Sequence, residues 1–239
     1  MNNIWIITRR ELATFFNSLM AYIMIIAFLG FSGFFTWFLG SDIFFIKQAS
    51  LGSFFNIAFW TLFFFIPGLT MRLFAEETRS GTIEVLLTKP VSDWQVVLGK
   101  FLSTLILIFI ALLMTFPYYI TVASLGNIDH GAVWSGYLGL ILMSAGYISI
   151  GLFTSSISNN QIVGYLLALF IGIFFQIIFS FIAIYMSGFV GEIFNFLSIP
   201  THIESISRGV IDSRDLIFFL SLIFFGLILT EANLEKSRL

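Results

Sequence analysis

The chain has no cysteine, which removes disulfides, thiolate nucleophiles and cysteine metal sites together and leaves the redox compartment unmarked. Its 2 histidines, His130 and His202, have no second ligand at helical spacing, so the sequence offers no histidine metal centre. Charge is scarce too: 11 Lys and Arg against 13 Asp and Glu in 239 residues, a net of -2. Without a basic tract there is no electrostatic footprint for nucleic acid. No G-x-x-x-x-G-K-[ST] occurs. Gly99-Lys100 follows Val-Val-Leu and precedes Phe101, so the chain carries no P-loop to bind and hydrolyse nucleotide. Nor does any long apolar run hold an ionisable residue near its middle, which argues against an intramembrane enzyme, an ion pump or a proton-coupled transporter.

What is present is apolar surface. The chain is 59% apolar with a mean hydropathy of +1.02, and phenylalanine alone occurs 32 times. Soluble domains run nearer about 45–50% apolar, so the bilayer is the solvent to reason with. Crossing about 30 Å of hydrocarbon takes roughly 20 helical residues. Runs of that length, charge-free except near their ends, give spans at about 18–39, 54–72, 97–124, 133–154, 161–185 and 214–232. Ser155-Ser156-Ile157-Ser158-Asn159-Asn160 divides the fourth from the fifth as a tight turn. Span six is short and has residues beyond Glu231 to draw on. These runs lack in/out alternation, so the expected fold is all-α, a single bundle of six transmembrane helices over residues 1–239.

Two flanking pieces are not spans. In residues 4–17, Ile4, Trp5, Leu12, Phe15 and Phe16 share one side of a helical wheel, which predicts an N-terminal helix lying in the membrane interface. Between spans five and six, Thr201-x-x-Glu204 reads as a capping box opening a short helix that ends near Gly209, part of a small external cap of short helices. Asp129 reads as the cap of span four. Six spans place both termini on one side. With that side cytoplasmic, Arg9, Arg10, Arg72, Arg79, Lys89, Lys100, Lys236 and Arg238 lie inside, and Lys47, Arg208 and Arg214 lie outside. The positive-inside rule supports this orientation.

A third of the charges sit in residues 72–100: Arg72, Glu76, Glu77, Arg79, Glu84, Lys89, Asp93 and Lys100. Arg72 can snorkel at the membrane edge, and Ala75-Glu76-Glu77-Thr78 can continue span two until Ser80-Gly81 breaks it. Ile83, Leu86 and Leu87 follow at i, i+3, i+4, a short apolar stripe ended by Lys89-Pro90. Ser92-x-x-Gln95 is a capping box that opens span three. The loop therefore carries a short amphipathic helix, which either rests on lipid headgroups or docks a soluble partner.

Glu76-Glu77-Thr78-Arg79-Ser80-Gly81-Thr82-Ile83-Glu84, followed by LLTKPVSDWQVVLGK, resembles the EE-x-R-x-G-T segment of ABC-2 type permeases, the membrane subunits of one class of ABC transporter. The likeness covers nearly the whole chain, and the external PTHIES and RGVIDSRD stretches are most similar to the gliding-motility-associated branch. The resemblance implies a cytoplasmic coupling helix at 81–88 that sits in a groove of a separate ATPase subunit. Glu76, Glu77 and Arg79 would make polar contacts at its approach, and Gly81, Thr82, Ile83, Glu84, Leu86 and Leu87 would lie on the helix itself. It also implies a non-enzymatic permease with no cofactor of its own. ATP is bound by the partner, a second permease subunit (a copy or a different chain) completes the pathway, and the assembly sits in the bacterial inner membrane. The rival reading is a non-transporting anchor that docks a cytosolic protein through residues 72–100.

Overall fold

The computed structural model describes residues 3–38, 49–81 and 91–238. Among them all regular structure is helical, and six helices or helix runs are long and apolar enough to cross a membrane. In chain order they are α1 (Asn3–Asn17), α2 (Leu19–Trp37, span one), α3 (Gly52–Thr70, span two), α4 (Ala75–Arg79), α5 (Asp93–Leu113) and α6 (Phe116–Leu125), which together form span three. Then come α7 (His130–Ser156, span four), α8 (Gln161–Ile173), a π turn over Phe174–Ile178 and α9 (Phe179–Tyr185), which form span five. The remainder are α10 (Phe189–Leu197), α11 (Ile199–Ser207) and α12 (Ser213–Arg238), the last carrying span six. Span six does run on past Glu231.

Most helix ends follow from residues a few positions away. Ser92 accepts from the backbone N–H of Gln95, whose side chain accepts from the Ser92 N–H, the expected capping box at the start of α5. Asp129 Oδ1 accepts from Ala132 N–H at 3.1 Å, and Asn160 Oδ1 from Ile162 N–H at 2.9 Å. Such caps each stabilise a helix by about 1 kcal/mol. Span three breaks at Met114–Thr115 because Pro117 has no N–H to give to the carbonyl of Leu113, and its ring crowds that carbonyl.

Span four is the centre of the bundle: 78% of its apolar window is buried, against 17% for span five. Its small residues let neighbours in close. A Cβ on Gly151 would meet Thr70 Oγ1 of span two at 2.0 Å, and one on Gly136 would meet the ring of Phe55 at 2.7 Å. Span six packs on the same helix, with Ser149 donating to Gly146 O and lying near Leu222 O. Helix association in lipid depends on such close packing, because no hydrophobic drive separates helix from lipid tail.

Four sequence expectations need adjustment. Span two does not continue straight into α4, since a turn over residues 71–74 separates them. The N-terminal helix buries Ile7, Thr8, Glu11 and Phe15 against the bundle, with Leu12 and Phe16 packed beside them, and leaves Trp5 and Ile6 exposed, so its inner face overlaps the wheel's apolar side but is turned toward Ile7, Thr8 and Glu11. Thr201-x-x-Glu204 caps nothing. Pro200 fits the first turn of α11, which starts at Ile199, and the Thr201 hydroxyl donates to Asn195 Oδ1 instead. Finally, the short helices between spans five and six fold back into the bundle. Gly188, at φ +74, reverses the chain, and α10 returns along α9 until Ser198 bonds Ser180. From there α11 climbs span four, with Ile203 and Ile206 against Gly139. A pocket of about 430 Å³ opens between spans two and four and α11, lined by Phe55, Asn56, Phe59, Leu140, Ile203 and Glu204 among others.

Candidate functional site

The loop after α4 leaves from a base built of three separate segments. Span two ends at Thr70, and the turn that follows is bridged by one side chain from span four. Ser155 Oγ accepts from the N–H of Phe74 and of Ala75 at 3.0 and 3.1 Å, and donates to Met71 O at 2.9 Å. That leaves the Leu73 carbonyl, which accepts from Lys100 Nζ at 2.6 Å.

Lys100 is 1% exposed, although lysine is almost never fully buried unless paired. Its ammonium also reaches Glu77 Oε1 at 2.8 Å and Glu11 Oε1 at 3.5 Å, and sits 5.0 Å from the centre of the Phe74 ring. Arg10 bonds Glu11 and lies 3.8 Å from Glu77. Two carboxylates thus meet two cations. Burial pushes the Glu11 carboxyl up, but Lys100 and Arg10 outweigh it and hold the group below its ordinary value.

The sequence brings α1 here through Gly99. A Cβ at that position would lie 2.5 Å from Ile7 Cγ2, so only glycine allows this approach. Thr8 Oγ1 then donates to Ile4 O at 2.9 Å and lies 3.3 Å from Gly99 O, while Asn3 Nδ2 donates to Gln95 Oε1 at 3.2 Å. Further along, Arg72 donates to Ser18 Oγ at 3.2 Å and lies over the Phe15 ring at 5.5 Å. One ionic knot therefore joins α1, the exit from span two and the entry to span three.

Of the residues named from sequence, Glu77 alone joins this knot. Glu76 and Arg79 are exposed on α4, three residues apart and so on one face of the helix. Gly81 is exposed with φ +71, a left-handed turn that glycine adopts without strain. Thr82, Ile83, Glu84, Leu86 and Leu87, and with them the expected helix over 81–88, lie outside the described residues. Glu11 and Lys100 were missed as site residues. A lysine after a glycine at a span's first turns, and a glutamate within an apolar helix face, were the available signals.

Among the described residues no group of three His, Cys, Asp or Glu side chains could hold a metal ion. Deeper in the bundle the polar side chains serve packing. Thr115 bonds the Tyr137 hydroxyl at 3.0 Å, Ser144 bonds Leu140 O on its own helix, and Tyr147 donates to Gln176 Oε1 at 2.5 Å. Gln176 lies on the π turn, and its Nε2 is buried with no partner among the described residues.

A comparison with curated proteins finds no match. A family model described as ABC-2 family transporter protein matches residues 45–230, most of the chain, from before span two to the end of span six's apolar run. That match and the six helices long and apolar enough to cross a membrane agree, and the chain belongs to the ABC-2 transporter family as a multi-pass membrane permease component that works with an ABC ATPase.

Proposed function

We infer that residues 76–88 dock the ATPase partner and that the Lys100 knot passes the partner's motion to the membrane helices. The observation carrying this is the buried Lys100 ammonium held by Glu77, Glu11 and Leu73 O. It ties both ends of the loop to one another and to α1, so a pull on the loop moves spans two and three as a unit. Glu76 and Arg79, exposed at the loop's entry, supply the polar contacts, and the stripe Ile83, Leu86 and Leu87 supplies the apolar ones.

In this reading the face bearing both termini is cytoplasmic, in a bacterial inner membrane. Arg9, Arg10, Arg72, Arg79, Lys100 and Lys236 lie in segments on that side, and Arg208 and Arg214 on the other. ATP binding closes two ATPase subunits, each drags a coupling helix, and spans two and three rock against a second permease subunit. Span five, whose Ile162, Leu166, Phe170, Phe181 and Ile184 are exposed, is available to that subunit or to lipid. The gliding-motility resemblance rests on residues 200–215 and adds nothing to this site.

The test separates docking from transmission by reconstituting the chain with its ATPase. Glu76→Ala with Arg79→Ala should weaken ATPase association at least tenfold and leave the permease's melting temperature unchanged. Lys100→Met should keep association while reducing ATPase stimulation. Association indifferent to the first pair refutes the docking site, whereas association lost with that pair but never accompanied by ATPase stimulation favours the rival, a non-transporting anchor that docks a cytosolic protein through residues 72–100.

A further inference from the structure

On the opposite face, a buried pair stands apart from the coupling site and does not depend on the transport reading. His202 of α11 lies between two acceptors: Nδ1 is 2.6 Å from Asp215 Oδ1 on α12, and Nε2 is 2.7 Å from the Phe196 carbonyl at the end of α10. Both side chains are buried, and the imidazole stacks on Phe218 with ring centres 4.1 Å apart, which fixes its plane. A neutral imidazole carries one N–H and cannot donate to two acceptors. Both contacts hold only when the pair shares a second proton, written either as imidazolium and carboxylate or as imidazole and carboxylic acid. Withdrawing that proton leaves two lone pairs facing one another across one of the contacts. Asp215 Oδ2 is buried with no partner among the described residues, so no second contact replaces the lost one.

We propose that His202, Asp215 and the Phe196 carbonyl form a one-proton latch that pins the returning helices α10 and α11 to span six, and that the latch opens when the proton leaves. The consequence is local. Pro200, Ile203, Glu204 and Ser207 of α11 line the pocket of about 430 Å³, so the latch sets one wall of the pocket facing away from the termini. The other ionisable groups on the packed elements do not enter the pair. Glu192 on α10 and Asp212 and Arg214 by α12 are exposed, and Glu204 is bonded to Arg208 on α11 itself. On span four, His130 bonds Tyr119, Tyr137 bonds Thr115 and Tyr147 bonds Gln176 on span five.

The chain has no cysteine of its own, so spin labels at Phe189→Cys on α10 and Trp134→Cys on span four can be read without background; both sites are exposed. In lipid nanodiscs the label-to-label distance distribution is measured by pulsed EPR across and beyond the window of about pH 5 to about pH 8 in which histidine side chains change charge. The proposal gives one narrow distribution at the acid end and a reversible second or broadened one at the alkaline end. Asp215→Asn, whose amide can donate to or accept from Nδ1, should keep the narrow form throughout. In the unsubstituted latch, His130→Gln leaves His202 as the one histidine, and its imidazole NMR titration should share the midpoint of the distance change. An unchanging distribution, a midpoint apart from that of His202, or an Asp215→Asn chain that responds as the parent does would each overturn the latch.

Discussion

Lys100→Met isolates the ionic knot. The substitution keeps the length and apolar stem of the side chain and deletes the ammonium. Glu77 then loses its 2.8 Å partner, Leu73 O its 2.6 Å donor and Glu11 its 3.5 Å partner, all where Lys100 is 1% exposed. Breaking a buried pair from one side costs about 3–5 kcal/mol. Arg10 remains bonded to Glu11, but its side chain is 46% exposed, so solvent screening limits what it returns. The expected loss is at the lower end, about 3 kcal/mol, or roughly a hundredfold in the folded-to-unfolded ratio. Adding Glu11→Gln and Glu77→Gln removes the two charges that faced the ammonium, and the triple variant should return to within about 1 kcal/mol of the parent. Reversible SDS unfolding in mixed micelles, followed by tryptophan fluorescence, gives these differences. A single variant within about 0.5 kcal/mol of the parent, or a triple variant less stable than the single, refutes the reasoning.

Acid should loosen the same knot. Because Glu11 is held below its ordinary value near 4.5, its contribution is present above that value and is lost as pH falls through the lowered one. Stability should therefore drop on acidification below about pH 4.5, and the drop should be shallower in Lys100→Met. Gly151→Ala should cost about 1–3 kcal/mol through collision with Thr70, with Thr70→Ala recovering part of the loss in the same unfolding assay. Tyr147→Phe leaves the Gln176 amide without its one observed partner and should cost about 1–3 kcal/mol, whereas Tyr147→Phe with Gln176→Met should be close to neutral. Ser92→Ala should lose about 1 kcal/mol, visible as faster hydrogen exchange at residues 94–96.

How much of this was legible depended on the range of the interaction concerned. Spans were readable because the bilayer fixes a length, and the Ser92–Gln95 and Asp129 caps because donor and acceptor lie within three residues. The same pattern misled at Thr201, where Pro200 suits the first helical turn and so moves the start of α11 to Ile199. The helical wheel of α1 turned Leu12, Phe15 and Phe16 toward the bundle but missed Glu11 and Thr8, which look polar in isolation. Their partners, Lys100 and Gly99, are 89 and 91 residues away, a pairing no local period carries. Gly191, packed under Met186 O, and Gly188 with its positive φ allow α10 to fold back, a tertiary requirement that no local sequence pattern marks. On the candidate site, the clustering of charge pointed to the loop and the family resemblance supplied Glu76, Glu77 and Arg79, while the buried base had to come from tertiary structure.

The central claim is that the loop after α4 is where the ATPase engages this chain. A photo-crosslinker carried by Arg79→Cys, with Arg208→Cys on the opposite face as control, tests it directly in membranes containing the permease and its ATPase. Both positions are exposed. The account predicts an ATPase adduct from position 79 and none from position 208. No adduct at 79, or an adduct at 208, would contradict it.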